Sequence, residues 1–253
     1  MSTQDTTSKG VVGYSGLSRI TRGGAIIIAP RIAGLLLAVA VLAGCLPQRL
    51  PGGRQERGQV GATGQGPRQV SLFDGKTLGQ WKITEFGGQG NVYVKDGSIF
   101  LEMGNDMTGV TWAGPVVRMN YEIGLEAMRV IGSDFFCGLT FPVEENPCSL
   151  ILGGWGGSVC GLSNIDYYDA ANNETTRVVN FESGRWYRVR LRVTPDKIEA
   201  WLDDEQLVDT VIKGRHISIR PEVDLCQPLG ISTWRTTGAV RNISLTKLTA
   251  GKQ

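Results

Sequence analysis

Histidine is almost missing from this chain of 253 residues; His216 is the only one. A zinc-protease helix, which needs two, is excluded, and a Ser-His-Asp triad would have to be built on His216 alone. That residue sits in the loop-like stretch Lys213-Gly214-Arg215-His216-Ile217 with no preferred partner, so a solvated surface histidine is the simpler expectation. A P-loop, a glycine fingerprint on a βα unit and a G-x-S-x-G elbow are also missing, which removes the common nucleotide-dependent and serine-hydrolase designs. No apolar run reaches the about 20 residues of a membrane-spanning helix. Cysteine is sparse, five in all, and its spacing matches no zinc pattern.

One region lacks charge of one sign. No acidic residue lies between Asp5 and Glu56, while Arg22 and Arg31 precede the apolar run from Ile32 to Gly44. A short apolar run behind basic residues, closed by small residues, reads as a signal peptide. Leu42-Ala43-Gly44-Cys45 resembles a bacterial lipobox, so Cys45 is the expected lipidation site. The expected order is a leader over 1–44, Cys45 with a tether over 45–69, one domain over 70–248 and a tail over 249–253. The tether is rich in Gly, Gln, Arg and Pro and has too little apolar surface to offset its ordering entropy. This organisation places the domain at the bacterial cell envelope, anchored to a membrane by lipid and facing the periplasm or the exterior. Four of the 26 basic residues (Lys9, Arg19, Arg22, Arg31) and one of the 24 acidic residues (Asp5) precede Cys45, which leaves 22 against 23. Basicity is therefore a property of the leader, and the domain's charge asks for no nucleic acid.

What the domain has in quantity is period-2 alternation and glycine. Tyr121, Ile123, Leu125 and Ala127 alternate with Glu122, Gly124, Glu126 and Met128, and Tyr187, Val189, Leu191 and Val193 alternate with Arg188, Arg190 and Arg192. Both patterns predict strands with one buried face. Asp96-Gly97 and Asp203-Asp204 sit between apolar runs as hairpin turns. Leu229 to Trp234 and Val240 to Leu248 supply the last strands, and no stretch shows a helical period. Many short strands separated by turn signals predict an all-β sandwich or jelly roll. Cys137, Cys148, Cys160 and Cys226 allow two disulfides in an oxidising compartment, or pack as small apolar residues, as Phe135-Phe136-Cys137-Gly138-Leu139 suggests.

Carboxylates are the better candidates for acid/base work. Glu122 and Glu126 would line a groove on a concave sheet and would be solvated on an outer one. Asp134 stands before a strand whose apolar set reads Phe135, Cys137, Leu139 and Phe141. Asp166 follows Leu162-Ser163-Asn164-Ile165 in a loop-like stretch. Trp155 lies within Gly153-Gly154-Trp155-Gly156-Gly157, where glycines let a ligand approach the backbone, and Trp234-Arg235 closes a strand. Indoles stack on the apolar faces of sugars, and arginine or aspartate bonds to their hydroxyls. No cofactor is required; Asp166, Asp169, Asn172 and Asn173 are oxygen donors that calcium or another divalent metal could take, but no calcium loop surrounds them.

The segment Ser71-Leu72-Phe73-Asp74-Gly75-Lys76-Thr77-Leu78-Gly79-Gln80-Trp81 resembles the opening of the 3-keto-disaccharide hydrolase domain. Tyr121 to Arg129, Asp134 to Thr140, Gly184 to Val189, Ile198 to Glu205 and Val240 to Leu245 resemble that family's later strands in the same order. The Glu–Gln pair and the histidine that many members carry have no counterpart at Leu150 to Asp166 or at Thr233 to Gly238. The resemblance implies a concanavalin-like jelly-roll β-sandwich of two antiparallel sheets. It implies cleavage of 3-keto-glycosides, in which the 3-keto group acidifies C2–H, a base removes that proton and the C1 substituent leaves. Two carboxylates at glycosidase spacing are not needed. On this reading Glu126, Asp134 and Asp166 are the acid/base candidates and Arg235 polarises an oxygen. Trp155, Trp234, Asn164 and Glu122 bind a saccharide ligand. The alternative is a non-catalytic carbohydrate-binding lipoprotein on the same fold.

Overall fold

The computed structural model describes residues 68–249. Cys45, the expected leader and nearly all of the expected tether lie outside that range. Gln69, expected to end the tether, already pairs with Thr246.

The alternating stretches form strands with the expected face inward. The central one, β6, spans Tyr121–Gly132, with Tyr121, Ile123, Leu125 and Ala127 all buried. Before it come β1 (Gln69–Ser71), β2 (Trp81–Ile83), β3 (Val92–Lys95), β4 (Ser98–Leu101) and β5 (Met107–Trp112). After it come β7 (Cys137–Val143), β8 (Asn146–Gly154), β9 (Val159–Ser163), β10 (Arg177–Val178), β11 (Trp186–Val193), β12 (Lys197–Leu202), β13 (Glu205–Val211), β14 (Gly230–Trp234) and β15 (Thr236–Lys247). One sheet runs β13-β12-β11-β6-β15-β4-β3, with β1 added beside β15; the other runs β10-β9-β8-β7-β14-β5-β2. All pairings between these strands are antiparallel. Large apolar side chains from both sheets share one core, including Trp81, Ile99, Tyr121, Phe136, Leu150 and Tyr187. This is the all-β sandwich that the alternation predicts.

The seven-stranded sheet differs from its partner in being covered on both faces. In β7, Cys137, Leu139 and Phe141 point into the main core, and Gly138, Thr140 and Pro142 face outward yet are also buried. A segment that includes a 3-10 turn, Pro221–Cys226, lies on that outer face. It begins at the sheet edge, where Ser218 exchanges backbone hydrogen bonds with Asn164, and it reaches β5, where Thr111 donates to the Leu225 carbonyl at 3.0 Å. Close approach explains Gly230: a Cβ there would lie 2.5 Å from the Cys226 carbonyl oxygen. Met107, Val223 and Cys226 form a second small core with Phe86, Phe135, Ile219 and Trp234. Phe135 thus belongs to the outer face, and Phe136 takes the inward position that the alternation assigned to Phe135.

All four cysteines within the described residues are free and buried. The disulfides allowed by the sequence are absent from this arrangement. Burial pushes the thiols of Cys137, Cys148 and Cys226 up to about 12 and that of Cys160 to about 11, so they pack as apolar groups and not as nucleophiles.

Candidate functional site

Between the crossing segment and the end of the β8–β9 hairpin, the outer face of the seven-stranded sheet opens into a pocket of about 200 Å³. Its floor is Ser149, Ile151 and Ser163; Asp134, Phe135 and Trp155 form one rim, and Arg220, Glu222 and Val223 belong to the crossing segment. Met107, Glu222 and Trp234 are shared with a neighbouring depression of about 340 Å³ that Asn105 and Asp106 also line.

The Trp155 rim is built by glycine and one buried arginine. Gly157 donates its N–H to the Gly154 carbonyl at 3.1 Å, closing a turn whose central residues Trp155 and Gly156 have φ of 50° and 89°. Hairpin turns of this hand need positive φ at both positions, and a tryptophan holds one of them at a cost of about 1 kcal/mol or more. The indole is left 42% exposed. Arg129, inward-facing on β6 and only 6% exposed, reaches across to this turn. Its Nη2 donates to the carbonyls of Gly157 (2.7 Å), Asp134 (3.2 Å) and Gly153 (3.3 Å), and its guanidinium lies over the rings of Phe136 and Phe181. Burial pulls its pKa below the ordinary value, with the charge of Asp134 opposing. Among the described residues it has no carboxylate ion-pair partner, and its Nε has no hydrogen-bond partner.

Asp134 completes the rim. Its Oδ1 accepts the Phe135 N–H at 2.7 Å and its Oδ2 the Gly156 N–H at 3.3 Å. No ion pair involves this carboxylate among the described residues. Glu222 is paired with Arg220 at 2.7 Å, and that hydrogen bond holds its carboxyl below the usual range. Arg220 also reaches Asp169 at 3.1 Å. Among the described residues the pocket therefore presents one carboxylate in no ion pair, one arginine shared between two carboxylates, and two indoles.

Of the residues singled out from sequence, Asp134, Trp155 and Trp234 meet here; the others do not. Glu122 and Glu126 lie on the outer face of the eight-stranded sheet. Glu122 is held by Arg192 at 2.9 Å and Arg190 at 3.4 Å. For Glu126, burial raises the pKa, but Arg241 at 2.7 Å and Asn242 at 2.8 Å outweigh it and hold the carboxyl below the ordinary range. Asp166 is bound by the His216 N–H at 2.8 Å and Arg215 at 2.6 Å, which lower its pKa, at the sheet edge. Asn164 beside it accepts from the Ser163 hydroxyl at 2.9 Å. Arg235 is tied to Asp106 at 2.6 Å beside the second depression, so it is not the cation of the pocket. Glu126, Asp166 and Arg235 thus do not converge with Asp134, and the pocket combines one carboxylate in no ion pair with aromatics. The missed residues are Arg220, Glu222 and the hydroxyl floor. Their one signal was small and hydroxyl residues at the outward positions of otherwise apolar strands.

Asp169 accepts from the Asn172 side chain, and Asn173 donates to three carbonyls and accepts from Thr175, so these oxygens serve the loop itself. Among the described residues no group of three or more His, Cys, Asp or Glu is placed to hold a metal ion.

No curated protein matches the chain. Among solved structures, a protein of unknown function with a galectin-like fold from Bacillus subtilis is 10% identical, with 72% of this chain and 96% of that one covered and a TM-score of 0.51. The Crh5 transglycosylase in complex with NAG is 10% identical over 73% of this chain and 84% of that one, with a TM-score of 0.50. The carbohydrate binding module CBM66, also from Bacillus subtilis, is 11% identical over 65% and 94%, with a TM-score of 0.42. At such identities the likeness is one of fold. The profile of a domain family, in contrast, matches residues 68–246, the whole of both sheets but for the last residue of β15. The chain belongs to the 3-keto-alpha-glucoside-1,2-lyase-like domain family, a carbohydrate-active class.

Proposed function

We propose that the domain cleaves a 3-keto-glycoside held in the 200 Å³ pocket, with Asp134 as the base. The observation behind this reading is that Asp134 is the pocket carboxylate in no ion pair among the described residues, its oxygens accepting from two backbone N–H groups. Hydrolysis by displacement needs two carboxyl groups about the scissile bond. Elimination needs one base, which suits the single free carboxylate. Asp134 takes the C2 proton, the C2 electron pair forms the C1=C2 bond, and the C1–O bond breaks. The protonated Asp134 then supplies the leaving oxygen with its proton. Arg220, on the facing segment, stabilises the negative charge that grows on the C3 oxygen. Trp155 and Trp234 stack on the ring.

The test is incubation of the purified protein with 3-keto-trehalose or a 3-keto-glucoside. Wild type should release the C1 substituent, and Asp134→Asn should lose on the order of 10³-fold in kcat with a small change in KM. Equal rates for the two proteins would remove Asp134 from the chemistry. A second reading, saccharide binding without turnover, draws on the two indoles and on the pairing of Glu122, Glu126, Asp166 and Arg235 into ion networks away from the pocket. Binding of the intact ligand with no product would select it. In either case we place the domain at the envelope through Cys45; metabolic labelling with palmitate should mark the wild type and not Cys45→Ser.

A further inference from the structure

On the far side of Arg220 the loop between β9 and β10 presents two adjacent tyrosines to solvent, Tyr167 at 77% and Tyr168 at 61% exposure. Exposed aromatics in a slack loop would mean little, but this loop is tied on every side. Asp166 is fixed by Arg215 and the His216 N–H, Asp169 by Arg220, and the Asn173 amide donates to the carbonyls of Leu162, Tyr168 and Asp169. Tyr167 stacks on the imidazole of His216 at 4.1 Å and 18°, so one ring face is backed and the other is open. Asp166 and Tyr167 both hold positive φ, 47° and 73°, a strain of the kind found at ligand clamps.

The loop is tied to two residues of the pocket. Ser163 on the pocket floor is two residues before Ile165, which bridges both Tyr168 and Ile217. Arg220, on the pocket, bonds to Asp169, the residue after Tyr168. We infer that Tyr167 and Tyr168 form a second sugar-stacking platform, which takes the outer rings of an oligosaccharide whose terminal ring sits in the pocket. The ligand class is thus a saccharide longer than one ring. This rests on the pocket being a saccharide site.

Calorimetric titration of the full chain with glucose and with α- and β-linked gluco-oligosaccharides of two to six rings tests both. Affinity should rise about tenfold from the short to the long ligands, about 1.4 kcal/mol. The Tyr167→Gly, Tyr168→Ala double variant should lose that gain while the short ligands bind unchanged; glycine accepts the positive φ, so folding is protected. Tyr167→Phe should keep the gain. A gain that survives in the double variant, or no gain with length in the wild type, overturns the platform and leaves the pocket standing. A gain that depends on the tyrosines but not on Trp155, probed by Trp155→Ala, overturns the pocket as the terminal site. No binding by any ligand of the panel overturns the platform, and the pocket then stands or falls on the 3-keto-glycoside assay.

Discussion

The outer faces of the two sheets start from the same rule and end in opposite states. On the eight-stranded sheet, charged side chains at outward positions neutralise one another across strands: Glu122 with Arg190 and Arg192, Glu126 with Arg241, and Asp209 with Lys197. Arg190 and Arg241 also lie over the rings of Trp201 and Trp186 at 3.7 and 4.1 Å. On the seven-stranded sheet the same outward positions hold Gly138, Thr140, Ser149, Ser163 and Gly230, all buried. Long charged side chains fill a face by themselves and leave no concavity. Short ones leave room that another segment must cover, and where coverage is incomplete a pocket remains. A candidate site is therefore to be sought where outward residues are small, not where they are charged.

Exchanging one glycine on each face should break this contrast most visibly. At Gly230 a Cβ would meet the Cys226 carbonyl at 2.5 Å, a backbone atom that cannot move alone. Gly230→Val should cost about 3 kcal/mol or more and displace the 3-10 turn, with loss of saccharide binding. At Gly124, on the other outer face, the nearest atom is the Ser244 hydroxyl at 3.3 Å, the movable end of a side chain. Gly124→Val should change stability by no more than about 0.5 kcal/mol, since valine suits a strand. Chemical denaturation of the pair reads the difference, and equal effects would show that the crossing segment does not pack on Gly230.

Arg129 links the two sheets and should give the next largest effect. Arg129→Met keeps much of the side-chain volume and removes a buried charge that lacks a carboxylate partner among the described residues, which is favourable in itself. Against that, the carbonyls of Gly153, Gly157 and Asp134 lose a shared donor. The net loss should be about 2 kcal/mol. Because those carbonyls belong to the turn that presents Trp155, affinity for saccharide should fall more than stability predicts. Fluorescence of the variant in the absence of ligand should report a mobile, more solvated indole. An unchanged spectrum with unchanged affinity would leave Arg129 with no part in holding the turn.

These two faces also explain what was legible in the sequence. β6 and β11 alternate in polarity because one side meets core and the other meets water, and their inward residues were readable. β7 is buried throughout, so its alternation is of size, and Phe135 could not be told from Phe136 as the inward residue. Asp134, Trp155 and Trp234 stand at strand ends, Trp155 between glycines, a local signal. Arg220 and Glu222 come from a segment whose path over the sheet is a long-range fact. Glu126 could not be read as ion-paired for a similar reason. Its partner Arg241 is 115 residues away and opposite only in the β15–β6 register, where a bulge between Arg241 and Ser244 turns Asn242 onto the same carboxylate.

The pairing of Glu126 gives the smallest and most selective effect. Its folded pKa lies below the ordinary 4.5, so the folded state binds this proton less readily than the unfolded chain. The stabilisation is therefore fully present above the ordinary value and is lost as pH falls through the lower folded value. With the carboxylate partly exposed and salt-screened, its size should stay under about 1 kcal/mol. Glu126→Gln should lower stability by that small amount at pH 7, flatten the fall in stability below about pH 4 relative to wild type, and leave saccharide binding unchanged. Loss of binding in this variant, with stability intact, would move the site to the charged face and reverse the comparison between the two sheets.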